Sequence, residues 1–444
     1  MNLTETIKAA GIVGAGGAGF PTHVKLDAKA ECLIVNAAEC EPLIETDKYL
    51  CRTCAPQIIQ AVLAVKEHLG AGRAVIALKG KYEQEIGALS EAIRATAAPV
   101  EIFRMGTFYP AGDEQTMVQQ VTGRSVPERG LPLDVGCVVD NVGTMLNIYD
   151  ALQGRPVVDK YLSVVGEVKE PVMLHVPIGT PVIDCVRAAE PQLADYALIL
   201  GGPLTGADEI RGAVVTKTTG NIIVLPRDHY LFRRAATPLE TIRHQARSAC
   251  IQCRMCTDLC PRYLIGHAIR PHLIMRNLWR EQGVTDDAAY VRIFGEAANC
   301  CDCGVCEMFA CPMQLSPRKV NQYVKRWLRE KGLQVPRDSA PQARAEVDQR
   351  HTPTDRLVSR LGLSAYYGLH AHDCRTLTPD EVFLPFSQHI GKPAHPVKQA
   401  GDTVERGEVL AQAAEGLSAQ IHASISGVVT EITERGARIR GRKE

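Results

Sequence analysis

No apolar run in this chain approaches the roughly 20 residues a helix needs to cross a bilayer, so the sequence reads as a soluble or peripheral protein. Neither sign of charge prevails, with 50 Lys and Arg against 50 Asp and Glu. A balanced chain has no global field to recruit nucleic acid or an anionic membrane. Aromatic residues are scarce, 5% of the chain, which excludes the stacking platforms that single-stranded nucleic acids use. No secretory signal pattern opens the chain, so a reducing compartment with free thiols is expected. What is present is length, 444 residues, enough for about three domains at roughly 150 residues each. Glycine is also plentiful at 37 residues, as is cysteine at 16.

Nine of the 16 cysteines fall between Cys250 and Cys311. The first run is Cys250-x2-Cys253-x2-Cys256-x3-Cys260-Pro261, and the second is Cys300-x2-Cys303-x2-Cys306-x4-Cys311-Pro312. Three thiolates at two-residue gaps turn toward a common centre, and the cysteine before proline ligates the other cluster of a two-cluster module. The expected sets are therefore Cys250, Cys253, Cys256 and Cys311 for one 4Fe-4S cluster, and Cys300, Cys303, Cys306 and Cys260 for its neighbour. A four-cysteine zinc site is the competing reading, but it leaves the third and fourth cysteines of each run unexplained. The x4 gap before Cys311 has two explanations. Either the loop bulges by one residue, or the register moves to Cys301 and leaves Cys300 spare; Cys301 is the expected spare thiol. Cys51-x2-Cys54 has no partners and reads as structural.

Residues 1–10 suggest a short helix, followed by GIVGAGGAGFPTHVKL. Its glycines leave backbone N–H groups unshielded, so a phosphate can approach closely. Gly14-x-Gly16-x-x-Gly19 satisfies the dinucleotide fingerprint, yet that fingerprint requires a preceding strand, and only a helical start is available. The strand Cys32 to Val35 ends in Asn36-Ala37-Ala38-Glu39-Cys40-Glu41-Pro42, a polar loop with two carboxylates. Residues 55–100 alternate helix and strand with little chemistry of their own. Next comes Tyr109-Pro110-Ala111-Gly112-Asp113-Glu114. Its carboxylates stand at the start of a helix over 115–121, where they suit either a helix N-cap or contacts to a ribose or nicotinamide.

These loops resemble the flavin and NADH-binding subunit of respiratory complex I and, more closely, the RnfC component of the membrane-associated Rnf electron-transfer complex. The resemblance implies FMN and NADH sites at Gly14, Gly16, Gly17, Gly19, Phe20, Lys25, Asn36, Glu39 and Glu41. It adds Tyr109, Gly112, Asp113 and Glu114 from the second loop, and Asn141 from the turn Val139-Asp140-Asn141-Val142-Gly143-Thr144. Ala38 stands where complex I has an Asp, so that flavin contact is missing.

The expected class is α/β plus β in five segments. An α/β FMN/NADH-binding domain covers 1–155. Short strands with Gly and Pro turns over 156–230 suggest a small β-grasp unit resembling the soluble ligand-binding β-grasp domain (SLBB) of the same family; YALILGGPLTG and NIIVLPRD close this region and are read as a return to the first domain. His175 there reads as a structural histidine. A helical, ferredoxin-like two-cluster domain covers 231–335. Residues 336–380, rich in Pro and charge, read as a linker with one short helix. The stretch 381–444 resembles a biotinyl or lipoyl barrel-sandwich hybrid, but His422-Ala423-Ser424 occupies the hairpin tip where a carrier needs Lys.

In RnfC the barrel-sandwich module comes first; here it follows the cysteines. That order, with the chain length, resembles the cobalamin reductases of propanediol-utilisation bacterial microcompartments. The resemblance implies an NADH-dependent oxidoreductase with FMN, two 4Fe-4S clusters and cobalamin as acceptor, and no protein nucleophile or general base. It also implies an adenosyltransferase and an iron-sulfur shell protein as partners, and a place in the bacterial cytoplasm, inside a microcompartment. An Rnf-type electron-transfer protein between NADH and ferredoxin, or an electron conduit across a shell, are the alternatives.

Overall fold

The computed structural model describes residues 2–208 and 212–442; Met1, 209–211 and 443–444 lie outside the described residues. Asn2 caps the helix Leu3–Ala9 through a capping box with Glu5. No strand stands between this helix and the glycine loop, as expected for a loop outside the dinucleotide fold.

Apolar runs without alternation form strands buried on both faces of a parallel sheet, and CLIV, AVIAL and CVV do so here. The sheet order is Glu101–Met105, Arg73–Lys79, Cys32–Asn36, Cys137–Asn141, all parallel. Successive side chains point to opposite faces. Leu33 and Val35 therefore join one core with Ile58, Val62 and Val65. Cys32 and Ile34 join another with Met117 and Val118. In such a sheet, ligands sit at the carboxyl ends of strands where the strand order reverses. Asn36 and Asn141 end the two neighbouring strands at that point, in register with each other.

The second unit is a mixed six-stranded sheet. Its order is Cys374–Thr376, Val172–Pro177, Asp159–Gly166, Asn221–Pro226, Tyr196–Leu200, Ala207–Asp208. Asp159–Gly166 runs antiparallel to Val172–Pro177 and parallel to Asn221–Pro226. The helix Val182–Ala188 packs Val182, Cys185 and Val186 into its core. YALIL and NIIVLP pair with each other in this sheet, so they do not return to the first one.

Helices carry the cysteine runs. Pro317–Glu330 buries Val320, Asn321, Val324 and Leu328, an i, i+4 stripe that leaves Arg326 and Arg329 exposed, while Arg318, Lys319 and Lys325 donate to carbonyls of neighbouring segments. It packs with Ile242, Ile274 and Phe294.

The segment 336–380, expected as a linker, is a packed strap. Thr352–Pro353 pairs with Phe108–Tyr109, and Cys374–Thr376 extends the mixed sheet. The expected short helix, Thr354–Arg360, buries Leu357 and Val358 in a core with Tyr109, Leu204, Val305 and Met308. A few apolar anchors, Leu357, Val358, Leu361 and Leu363, outweigh the polar composition between them.

The last segment forms two facing sheets. One is ordered Glu381–Pro385, Gly436–Gly441, Gly427–Ile432, Thr403–Val404; the other His395–Pro396, Val409–Gln412, Ile421–His422. His422-Ala423-Ser424 is no exposed tip: all three are buried, and Ser424 Oγ donates to the Ile178 carbonyl at 2.5 Å. Val382, Leu410, Val429 and Ile439 share one apolar core with Ile7, Ile12 and Leu33 of the first unit. Among the described residues, no helix is long and apolar enough to cross a membrane.

Candidate functional site

The glycine loop is pinned at its neck, where Gly14 N–H donates to the Phe20 carbonyl at 2.9 Å and Val13 bridges Pro21. Thr144 Oγ1 accepts from Ala15 N–H at 3.0 Å, which tethers the loop to the helix Val142–Leu152. At Gly17 the backbone has φ +108°, and no atom lies within 4 Å of where a Cβ would stand. Only glycine adopts that conformation readily, and the open space beyond it is a cleft of about 1270 Å³.

The cleft gathers residues from both sheets and from the cysteine domain. Gly16, Gly17, Asn36, Glu39 and Glu41 line it. So do Tyr109, Gly112, Asp113 and Asn141. Gly14, Gly19, Phe20, Lys25 and Glu114 are not among its lining residues. Gly19 carries the loop's return, with its carbonyl accepting from Ile390 N–H at 3.0 Å. Lys25 Nζ donates to the Val139 carbonyl at 2.8 Å and stands 3.8 Å from the Glu114 carboxylate.

Asn141 caps the helix Val142–Leu152 by accepting from Gly143 N–H at 2.8 Å, and its Nδ2 donates to Asp47 at 2.7 Å. Asn36 donates to the Gly112 carbonyl at 2.9 Å. A side chain at Gly112 would meet Cys40 Cβ at 2.7 Å, so the two loops touch only because this residue is glycine. Glu39 accepts from Asp47 N–H at 2.6 Å. Burial, then the neighbouring Asp47 carboxylate, raises the Glu39 carboxyl well above its ordinary value. Burial likewise pushes Asp47 up to about 6. Glu41 accepts from Leu204 N–H at 2.7 Å and from Thr205, so its carboxylate ties the polar loop to the mixed-sheet unit.

Asp113 acts as the cap of the helix Glu114–Thr122, accepting from Thr116 N–H at 3.0 Å. Its carboxylate also takes both terminal nitrogens of Arg262, one at 2.9 Å. Burial alone would raise Asp113, but the Arg262 charge and these hydrogen bonds outweigh it and leave its carboxyl lowered. The Tyr109 phenol donates to the Cys303 carbonyl at 2.8 Å. The Tyr109 contact seats the second cysteine run, and the Arg262 contact the end of the first, against the cleft, with Cys301 and Cys303 forming part of its wall.

The two runs are backbone copies of each other. Gln252 and Asp302 have φ +57° and +59°; Arg254 and Gly304 have +68° and +80°. This sets Cys300 opposite Cys250 and Cys301 opposite Ile251. Asp302 N–H lies 3.4 Å from Cys300 Sγ, and Gln252 Nε2 lies 3.0 Å from Cys250 Sγ. The extra residue before Cys311 is absorbed as a π-helical turn, Val305–Ala310, where the first run has the α-turn Met255–Asp258. One-residue insertions into helices commonly take this form.

Among the described residues, no three Cys, His, Asp or Glu side chains converge tightly enough to hold a single ion. Cys250, Cys253, Cys256 and Cys311 instead surround a shared space with His272 and Met275. On top of burial, Cys301 and then Cys300 raise the Cys260 thiol, and Cys300 and Cys260 are among the neighbours that raise Cys306. Thiols gathered in this way suit a cationic iron-sulfur core, and Arg262 and Arg318 lie near the second group.

Asp47, Lys160 and Arg262 were not singled out from the sequence. Asp47 and Arg262 belong to no motif, and only their contacts with Asn141 and Asp113 mark them. His175, read as structural, stacks on Tyr161 with ring centroids 4.3 Å apart and lies 3.6 Å from the Asp159 carboxylate.

Comparison with known proteins agrees with this arrangement. Residues 7–150 match the Nuo51 FMN-binding domain, 249–316 a 4Fe-4S dicluster domain, and 374–442 the RnfC barrel sandwich hybrid domain. An NAD+-reducing [NiFe]-hydrogenase chain in its H2-reduced state has a related fold, with TM-score 0.50 and 21% identity over 75% of this chain and 62% of that one. Fold and site together define a flavin and iron-sulfur electron-transfer protein. Cobalamin reductase PduS of Citrobacter freundii is 39% identical over 447 residues, covering 98% of this chain and 95% of the relative. The Salmonella typhimurium protein of the same name is 39% identical over 441 residues, with the same coverage. The chain belongs to the PduS cobalamin reductase family. A component of the Na(+)-translocating ferredoxin:NAD(+) oxidoreductase complex of Acetobacterium woodii is more distant, 33% identical over 62% of this chain and 61% of its own length.

Proposed function

We propose that this protein takes electrons from NADH and delivers them to cobalamin, reducing Co(III) to Co(II) and Co(I) for adenosylcobalamin regeneration during propanediol degradation. The observation that carries the reading is one continuous cleft, walled by the glycine loop at one side and by Cys301 and Cys303 at another. Bound FMN supplies two-electron exchange with NADH, and the clusters supply single-electron carriage.

The chain's own residues do the holding. Gly16, Gly17, Asn36, Asn141 and Gly112 present backbone and amide groups to the flavin, with Gly14, Gly19, Phe20 and Lys25 shaping the loop behind them. Glu39, Glu41 and Tyr109 border the nicotinamide side, and Asp113 and Glu114 hold the second loop. Cys250, Cys253, Cys256 and Cys311 form one cluster site; Cys260, Cys300, Cys303 and Cys306 form the other, with Cys300 as ligand because of its match to Cys250. The mixed sheet serves as an SLBB-like β-grasp, and the cysteine domain as a ferredoxin-like module. The domain limits 1–155, 156–230, 231–335 and 381–444 follow these roles. An adenosyltransferase that consumes Co(I) and an iron-sulfur shell protein are the proposed partners, within a microcompartment.

Anaerobic purification, flavin release and iron analysis, followed by NADH titration with hydroxocobalamin, test this reading. Released FMN, about eight irons per chain and corrin bleaching toward Co(II) or Co(I) are expected. Reduced flavin beside untouched corrin would overturn cobalamin as the acceptor and favour a ferredoxin-type partner.

A further inference from the structure

Lys160 stands in the opening turn of the strand Asp159–Gly166, on the mixed-sheet wall of the cleft. The residue is 9% exposed. Among the described residues, Nζ has no hydrogen-bond or salt-bridge partner. Other buried lysines are satisfied: Lys48 by Glu45, Lys79 by the Glu39 and Cys40 carbonyls, Lys217 by the Gly11 and Gln420 carbonyls. The charge acting on Lys160 is that of Asp47, which Asn141 already engages at 2.7 Å. Burial pulls the ammonium down to about 8, so at neutral pH it still carries a charge. A buried lysine is rarely left unpaired, and this one borders an open cleft.

The same cleft is bordered by three other features that suit an anion. Gly17 leaves its backbone open, and Gly16 beside it lines the cleft against the Asn141 side chain. The first turn of the 11-residue helix Val142–Leu152 starts at Asn141 and Gly143, both in the lining, and a helix N-terminus favours negative charge. Thr216, Thr218 and Thr219 add hydroxyls from the mixed-sheet side.

We propose that Lys160 is the phosphate-holding cation of the cleft, clamping a nucleotide phosphate against Gly16, Gly17 and the first turn of Val142–Leu152 from the opposite unit. The inference rests on the flavin and nucleotide reading above and adds a residue to it. The phosphate is either the monoester of FMN or the pyrophosphate of NADH, and the two are separable.

Flavin-depleted protein that retains its iron is titrated with FMN and with riboflavin by fluorescence quenching, and with NADH and reduced nicotinamide riboside. A lost charge-assisted contact predicts at least about tenfold weaker binding in Lys160→Gln. Weaker FMN with unchanged riboflavin assigns the monoester; weaker NADH with unchanged FMN assigns the pyrophosphate; Lys160→Arg should recover most of either loss. Equal affinities of Lys160→Gln and wild type for both phosphate-bearing ligands would overturn the inference alone. Wild type that binds neither would sink the functional reading and the inference with it. Should the variant not fold, wild-type protein is acylated with an amine-reactive label and mapped by mass spectrometry. Lys160 labelled only after nucleotide removal supports the clamp, and equal labelling in both states refutes it.

Discussion

Cys300 receives the Asp302 N–H on its sulfur, whereas the adjacent Cys301 faces Cys303 and Arg262 at the wall of the cleft. The match between Gln252 and Asp302 and between Arg254 and Gly304 supports the proposed choice of Cys300 over Cys301 as the ligand. Cys300→Ser is therefore expected to lower iron from about eight to about four atoms per chain, and Cys301→Ser to leave it unchanged. Iron analysis with the visible absorbance of each variant decides this, and the opposite pattern would move the register to Cys301. The sequence was informative here because cysteine spacing encodes a local loop. The π-helical turn that reconciles the x4 gap was one of two open possibilities, since spacing counts residues and does not say how a helix absorbs an extra one.

Among the elements, the strap over 352–363 holds the strand Phe108–Tyr109 next to the second cysteine run. Leu357 is fully buried at this junction. Replacing a buried leucine by alanine costs about 2–5 kcal/mol through lost transfer energy and the cavity left behind. Leu357→Ala should show that loss in urea unfolding with an unchanged slope; a loss under about 1 kcal/mol would mean that the site collapses freely. Cys32–Asn36 and Arg73–Lys79 could be read from sequence because strands covered on both faces are apolar throughout, whereas the partly exposed edge strand Glu101–Met105 could not. The strap could not, because its anchors are few and aperiodic among prolines and charges. Helix capping by Asp113 was likewise visible locally, while its pairing with Arg262, far along the chain, appears only once the fold brings them together.

Across the whole molecule, three units meet at Lys217. Its ammonium holds the carbonyls of Gly11 and Gln420, and His422 lies close by, its ring buried. Burial lowers Lys217 from 10.5 to about 7 and His422 from 6.5 to about 4. In each case the unfolded chain binds the proton more tightly, so stability rises with pH between the folded and unfolded values. The contribution of His422 increases from about pH 4 to 6.5, and that of Lys217 from about pH 7 to 10.5. Melting temperature followed against pH should climb in both windows, and Lys217→Met should flatten the upper one. An unaltered upper slope would show that the junction does not sense this charge.

The same junction bears on biosynthesis. The glycine loop precedes both cysteine runs in the chain and is synthesised before them, yet Gly11 and Gly19 are held by Gln420 through Lys217 and by Ile390. Those residues emerge only after both cysteine runs have been made. A nascent chain therefore has both cysteine runs complete while its glycine loop still lacks these contacts.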